Sequence, residues 1–472
     1  MLPLKRSNSV LRPNVAYRAI FGSTLYRCKP IRHPCRTFNN DSKESNNRSK
    51  ESENNNHYFS KALLTVLIPY TCYALFVSLK TNYEITQREN RTKGCDEEDF
   101  QSTLIKYSPL QILGRFENPF TEYRIQTAYE FFLNRVLEVF SINRGGIPSD
   151  KSLMRELMPT HKPTWTNAST KIDSKIGVMQ LRVIGPDVSY KDTQSAPSNE
   201  NIYTTWLGQS CAFIVYKGFK VLTDPLFSEY IVHETLGPKR ITDLPCQIED
   251  VPTPDVILVS HNHPDHLDFK SLEYWGSKRN KDEQPLWIVP KGLGPFLKQH
   301  KVNNFIELSW WETCELSTTK NNNTDVYEIS CTPAMHWSGR SLVDSNQSLW
   351  CSFLFSDKKK PILFHGGDTG YVTDLFRRIA SRYGSGVKLA LLPCGQYCPE
   401  WHQRPRHINP SEVLKIMKDL DAQTVLGVHW GTFVLSGESF REPKEKLEML
   451  AEWKGLRENC YCPELGKTIT VK

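Results

Sequence analysis

At 472 residues, 39% hydrophobic and 24% charged, the chain cannot be wholly disordered, collagen-like or a coiled-coil rod, and it has room for two to four domains of about 100–200 residues. The formal charge of +7 sits at the N-terminus: residues 1–40 hold eight Lys or Arg and no acid, leaving 51 basic against 52 acidic residues beyond. A body this balanced lacks the basic stripe of a nucleic-acid reader. Thirteen Cys without paired CxxC units exclude a disulfide scaffold and a zinc ribbon.

The first 40 residues scatter Lys5, Arg6, Arg12, Arg18, Arg27, Lys29, Arg32 and Arg36 among apolar residues, the composition of a mitochondrial presequence. Pro3, Asn8, Pro13 and Arg18 interrupt every apolar run that a secretory signal would need. Residues 41–60 have almost nothing to bury and read as a disordered polar linker. Residues 62–79 are uncharged between Lys61 and Lys80 and would span about 27 Å as a helix, so residues 61–80 read as one transmembrane helix that Pro69 bends without breaking. If the presequence enters the matrix and the span stops transfer, the protein is single-pass in the mitochondrial inner membrane, with its body facing the intermembrane space. Residues 81–110 read as a second linker, and residues 111–472 as the folded domain.

Within that domain, Ile125, Ala128, Tyr129, Phe132, Leu133, Val136 and Leu137 recur at helical spacing before the stop signal Gly145-Gly146. They predict a helix packed on the body or, alternatively, a greasy lip beside the membrane. From residue 176 the period becomes two, with Lys217-Gly218 as a hairpin turn. Strands are expected at 256–260, 327–332, 349–355, 361–368, 389–393 and 424–430, and a helix starts at the cap Asn409 with Pro410 at its first position. Two sheets with helices outside is the economical α/β arrangement.

Directly after the apolar strand at 256–260 stand His261-Asn262-His263-Pro264-Asp265-His266. His336, Asp368 and His429 each follow a later strand, and strand ends can converge on one sheet edge. Five His and two Asp without Cys suit two borderline divalent cations sharing one carboxylate. The reading assigns His261, His263 and His336 to one metal, Asp265, His266 and His429 to the other, and Asp368 to both. Two Zn2+ fit imidazole and carboxylate ligation best, with iron or manganese open on ligand type alone.

This HxHxDH followed by a distant His, Asp and His resembles the metallo-β-lactamase superfamily. The resemblance implies an αββα four-layer sandwich with a dinuclear site at one sheet edge, and Asp224 in LTDPLF as a brace for the metal loop. More narrowly, residues 111–455 are similar to the N-acyl-phosphatidylethanolamine-hydrolysing phospholipase D family and look like its fungal mitochondrial branch. GRFENPF (114–120), TTWLGQS (204–210), SHNHPDHLD (260–268), HWSGR (336–340), GDTGY (367–371), RHINPSE (406–412) and VHWGTF (428–433) carry that similarity. Gln209-Ser210 replaces the common His-Ala, Pro264 stands where animal members have Tyr, and the leader and span have no counterpart there.

The similarity implies hydrolysis of N-acyl-phosphatidylethanolamine to N-acylethanolamine and phosphatidic acid, which two cations suit by activating water and clamping phosphoryl oxygens. Asp265 and Asp368 are the candidate catalytic carboxylates: the leaving alkoxide needs neutralising by a metal or by a proton from Asp265 or a metal-bound water, and the similarity adds His407 as a catalytic candidate that binds phosphate or amide. The partner is then a membrane phospholipid and not nucleic acid, and an oligomer is left open. Other readings of the scaffold are a thioesterase, a lactonase or a nuclease, or an inactive inner-membrane structural protein.

Overall fold

The computed structural model describes residues 44–95, 99–125, 127–139, 144–165, 178–186, 200–235, 237–277, 284–320, 323–341 and 343–472. The expected presequence lies outside them. The chain forms two units, Met1–Ile68 and Pro69–Lys472.

Helix α1 (Glu44–Thr92) contains the expected span but is longer at both ends. From residue 44 the polar linker is helical rather than disordered. Once an apolar segment has nucleated a helix, each further residue gains a hydrogen bond without a new nucleation cost. Residues 81–110 are not a linker either. Val77, Thr81 and Ile85 recur every four residues and are buried; Val77 packs with Leu110 and Ile112. The Arg88 guanidinium donates to the Ser108 carbonyl at 2.6 Å. Helix α2 (Phe100–Tyr107), capped by Asp99, buries Tyr107, so the packed body begins well before residue 111.

A short hairpin of β1 (Leu110–Ile112) and β2 (Arg115–Glu117) leads to α3 (Ala128–Val139) and α4 (Lys151–Leu157). Then follow β3 (Val178–Ile184), β4 (Ile202–Gly208), β5 (Cys211–Tyr216), β6 (Phe219–Thr223), β7 (Val256–Leu258), α5 (Phe269–Leu272), β8 (Leu286–Pro290), α6 (Gly294–Gln299) and β9 (Phe305–Leu308). The second run is β10 (Thr313–Lys320), β11 (Asn323–Thr332), β12 (Ser352–Asp357), β13 (Lys360–His365), α7 (Leu375–Tyr383), β14 (Leu389–Pro393), α8 (Glu400–Gln403), α9 (Pro410–Asp419), β15 (Thr424–Val428), α10 (Glu442–Trp453), β16 (Cys460–Tyr461) and β17 (Thr468–Val471).

These strands make an eight-stranded sheet, β16-β15-β14-β13-β12-β11-β10-β3, and a seven-stranded sheet, β17-β4-β5-β6-β7-β8-β9. One core lies between them, where Ile214, Val221 and Leu258 meet Ile329, Phe353 and Leu391. Across it the Phe219 and Phe355 rings stack at 5.7 Å. A second core, with Ile257, Trp287, Leu272, Trp275 and Leu297, covers the outer face of the seven-stranded sheet. On the other outer face, α7 and α9 bury Phe376, Ile379, Val413 and Ile416. Helices therefore flank two stacked sheets, the expected αββα sandwich.

Local chemistry explains several joints. Tyr216 pairs with Phe219 across a two-residue turn whose Lys217 and Gly218 both have positive φ (51° and 84°), the turn that matches strand twist. Asn409 caps α9 and Glu412 reaches back to the Asn409 N–H, a reciprocal capping box. Strands β6 to β9 are parallel to one another, as are β13 to β16, and β4 and β11 run in the same sense as their sheet's parallel strands. The C-terminal ends of β4, β6, β7, β11, β13 and β15 consequently deliver the residues that follow them to one edge.

Candidate metal centre

That edge gathers residues scattered over more than 200 positions. Asp224 follows β6, His261 to His266 follow β7, His336 follows β11, Asp368 follows β13 and His429 follows β15. All are buried. Donor atoms of His261, His263, His336 and Asp368 lie within 4.8 Å of one another, and so do those of Asp265, His266, Asp368 and His429. Asp368 belongs to both sets: its Oδ2 is 3.9 Å from His261 Nε2, 3.7 Å from His336 Nε2 and 3.1 Å from His266 Nε2, while Oδ1 is 3.1 Å from His429 Nε2. Asp265 Oδ2 is 3.5 Å from both His266 Nε2 and His429 Nε2.

Hydrogen bonds behind the cluster fix which ring nitrogen faces it. His266 Nδ1 and Ser260 Oγ both donate to Asp224 Oδ2 at 2.8 Å, and the Ser260 N–H donates to Asp224 Oδ1 at 2.7 Å. His261 Nδ1 donates to Ser260 Oγ (2.9 Å), and His336 Nδ1 to the Arg406 carbonyl (3.0 Å). Each bond leaves the Nε2 lone pair directed into the site, as a metal ligand requires. His263 is reversed: its Nδ1 lies 2.8 Å from His261 Nε2 and 3.3 Å from His336 Nε2. His429 adopts a left-handed φ of 62°, a strained backbone that persists because its N–H donates to the Gln209 carbonyl at 2.9 Å.

The donor set fits divalent cations. Imidazole lone pairs that face one another at 2.8–3.3 Å repel unless a cation or proton lies between them. Two His/Asp sets sharing one carboxylate make a dinuclear arrangement.

The electrostatics agree. Burial, then the neighbouring imidazoles, hold His261 well below its ordinary pKa; burial and then His336 do the same to His263, and burial takes His336 down to about 4. For His266 and His429, burial is overcome by Asp368 and Asp265, with Asp224 also acting on His266. His266 is driven well above its ordinary range and His429 to about 9. Asp224 is lowered to about 2 despite burial, by His365 and His266. Neutral imidazoles in one set and cation-seeking carboxylates in the other are what metal ligation uses.

Two residues at the site escaped sequence reasoning. His365, at the end of β13, places Nε2 2.8 Å from Asp224 Oδ2, making a second imidazole on the brace. It directly precedes the GGD segment of the sequence, and its position after an apolar run was the available signal. Gln209, noted only as a departure, is buried with Nε2 3.0 Å from Asp265 Oδ2 and 2.9 Å from His429 Nε2. His407 is also brought in: it is buried, its Nδ1 lies 3.9 Å from Asp368 Oδ2, and burial holds it well below its ordinary pKa. A cleft opens beside the cluster, lined by Gln209, His429, Phe433, Val434 and Phe440 among others.

A β-sandwich carrying paired His/Asp sets at its strand ends defines a metallohydrolase of the β-lactamase superfamily, and the profile of the Beta-lactamase superfamily domain matches residues 220–430. Relatives narrow this further. The mitochondrial N-acyl-phosphatidylethanolamine-hydrolyzing phospholipase D of Saccharomyces cerevisiae is 59% identical over 418 residues, covering 86% of this chain and 87% of that protein. N-acyl-phosphatidylethanolamine-hydrolyzing phospholipase D 1 of Caenorhabditis elegans is 30% identical over 346 residues, covering 71% and 86% respectively. The chain belongs to the N-acyl-phosphatidylethanolamine-hydrolysing phospholipase D family.

Proposed function

We infer that this chain is a membrane-held metal-dependent phosphodiesterase that hydrolyses N-acyl-phosphatidylethanolamine to N-acylethanolamine and phosphatidic acid. The observation that carries the chemistry is Asp368 shared between two sets of three further donors. In this reading His261, His263 and His336 hold one Zn2+, Asp265, His266 and His429 hold the other, and Asp368 joins them. The bound pair supplies Lewis-acid stabilisation of phosphoryl oxygens and a lowered pKa for water.

The chain's own groups do the rest. Asp224 holds His266 through Nδ1 and the loop through the Ser260 N–H, which keeps the donors oriented before substrate arrives. The Asp265 carboxylate, whose contacts Gln209 and His429 line the cleft, would take up the proton released by the attacking water and hand it to the departing ethanolamide oxygen. His407, neutral through burial and with Nδ1 lacking a hydrogen-bond partner, offers that atom to the phosphate or amide of the substrate. Residues 61–80 anchor the enzyme beside a lipid that hardly leaves the bilayer, which raises encounter probability. The span, the acid-free leader and the mitochondrial relative support a place in the inner membrane, with the body in the intermembrane space.

Full-length protein in detergent, assayed for bound metal and for release of N-acylethanolamine, tests the reading, with Asp368→Asn as control. About two metals per chain and release that collapses in the variant are expected. Hydrolysis of thioesters alone, or a variant as active as the parent, overturns it.

A further inference from the structure

Among its described side chains, helix α3 is inside out for a helix on a water-soluble surface. Its large apolar side chains Tyr129, Phe132, Leu133 and Leu137 are 46%, 70%, 52% and 54% exposed, while Asn134 is buried. Positions 129, 133 and 137, with 132 between them, form one continuous stripe at helical spacing. Glu130, off that stripe, is engaged by Arg124 at 2.5 Å. A helix whose polar group faces in and whose apolar face points out has its favourable burial still to make.

The neighbour of this stripe says what buries it. Tyr129 shares a 2.7 Å hydrogen bond with Thr71 Oγ1, and its ring meets that of Tyr70 edge-on at 5.9 Å. Tyr70 and Thr71 lie in the middle of the uncharged run 62–79, Thr71 nine residues before Lys80. At 1.5 Å per residue, Thr71 is about 13 Å along the axis from that charge, close to the midplane of a hydrocarbon layer ~30 Å thick. Tyr73, Leu75, Phe76 and Leu79 on the same half of α1 are exposed too, so the apolar surface continues from one helix to the other. The Thr71–Tyr129 bond fits that setting, because two hydroxyls in hydrocarbon must satisfy each other.

We propose that α3 lies in the acyl-chain region of the bilayer beside the 69–79 half of the span, at the depth of Thr71, with Phe132, Leu133 and Leu137 against lipid hydrocarbon. The proposal rests on reading residues 61–80 as a membrane span. It gives the body a second foothold in the membrane. Gly145, six residues beyond the end of α3, adjoins the catalytic cleft: Phe440 N–H donates to the Gly145 carbonyl, and Gly145 packs against Val434, a lining residue. Substrate can thereby reach the cleft from within the lipid layer.

Thiol labelling of the full-length protein in proteoliposomes tests this, with the vesicles opened by freeze–thaw so that a polar maleimide reaches both faces. Native Cys72, beside Thr71, reports on the span; Phe132→Cys and Leu133→Cys report on α3; Val343→Cys, 74% exposed, is the aqueous control. Each thiol is read singly, with Cys28, Cys35, Cys95 and Cys398, and Cys72 where it is not the probe, replaced by Ser. Labelling needs the thiolate, which hydrocarbon disfavours, so Cys72 and both α3 positions should react at least about tenfold more slowly than Val343→Cys. Slow Cys72 with α3 positions as fast as the control overturns the proposal and leaves the span intact. Fast Cys72 overturns the span and the proposal together.

Discussion

Asp224 Oδ2 accepts from His266 Nδ1 and from His365 Nε2, each at 2.8 Å, so one carboxylate oxygen ties a residue of the ligand cluster to a second histidine behind it. The Asp224 backbone is itself left-handed, with φ of 37°, and its N–H donates to the Leu258 carbonyl at 2.8 Å, which fixes the carboxylate against the end of β7. Replacing His365 by Phe removes a donor from Asp224 without touching the ligands. Lost support of this kind costs about 10–100-fold in metal affinity. Competition with a chelator of known affinity should therefore show weaker metal retention in His365→Phe, and added metal should restore activity. Unchanged retention would mean that Asp224 is held well enough by Ser260 and His266 alone.

Much of this was legible in the sequence because its signals are local. Asn409-Pro410 marks a helix start, Lys217-Gly218 a hairpin and residues 256–260 a buried strand, and each depends on neighbours within a few positions. The histidine cluster was legible for a different reason: seven N/O donors at strand ends have little use in a fold except to converge. What stayed hidden depends on tertiary placement. Nothing near His365 tells that its ring reaches across to β6, and nothing near Gln209 tells that its amide lies between Asp265 and His429. The packing of residues 81–110 was missed because polar Thr81, Ser102 and Thr103 are buried there by contacts from far along the chain, such as Arg378 Nη1 donating to Thr103 Oγ1.

Phe219 and Phe355 join the two sheets face to face, both almost wholly buried, with the Tyr327 ring 4.8 Å from Phe219. Phe219→Ala leaves a cavity at the point where the layers meet and should cost about 3–5 kcal/mol. A lower denaturant midpoint, with normal metal content in the fraction still folded, is the expected result.

Glu117 supplies a pH signature away from the ligands. Burial, opposed by its hydrogen bond to Asn346 and by Arg115, pushes its carboxyl up to about 7. Below about pH 4.5 the folded and unfolded chains both hold the proton and nothing is lost. As pH climbs towards 7 the unfolded chain releases it first, so stability falls through that window and stays low above it. The full effect is roughly 3 kcal/mol. Glu117→Gln keeps the shape without the charge, so it should match the parent near pH 4.5 and exceed it in denaturant resistance at pH 8. Parallel pH profiles for the two proteins would show that Glu117 titrates like an exposed carboxylate.

Gln209 separates the structural from the chemical at the cleft. Its backbone does structural work: the carbonyl accepts from the Trp206 indole at 2.8 Å and from the His429 N–H, and its N–H donates to Thr432 Oγ1 at 2.8 Å. Any L-residue that tolerates its φ of 52° keeps those bonds. Its side-chain amide does something else, donating to Asp265, the residue proposed to protonate the leaving group. Removing one hydrogen bond to a charged group costs about 1.5–3 kcal/mol, which read as a rate is about tenfold to a hundredfold. Gln209→Ala should therefore lose kcat by that factor while unfolding at the parent's denaturant concentration. Gln209→His, with a ring nitrogen able to donate in the same direction, should recover part of it. Equal losses in both variants would show that the side chain fills space beside the cluster and does not direct the Asp265 carboxylate.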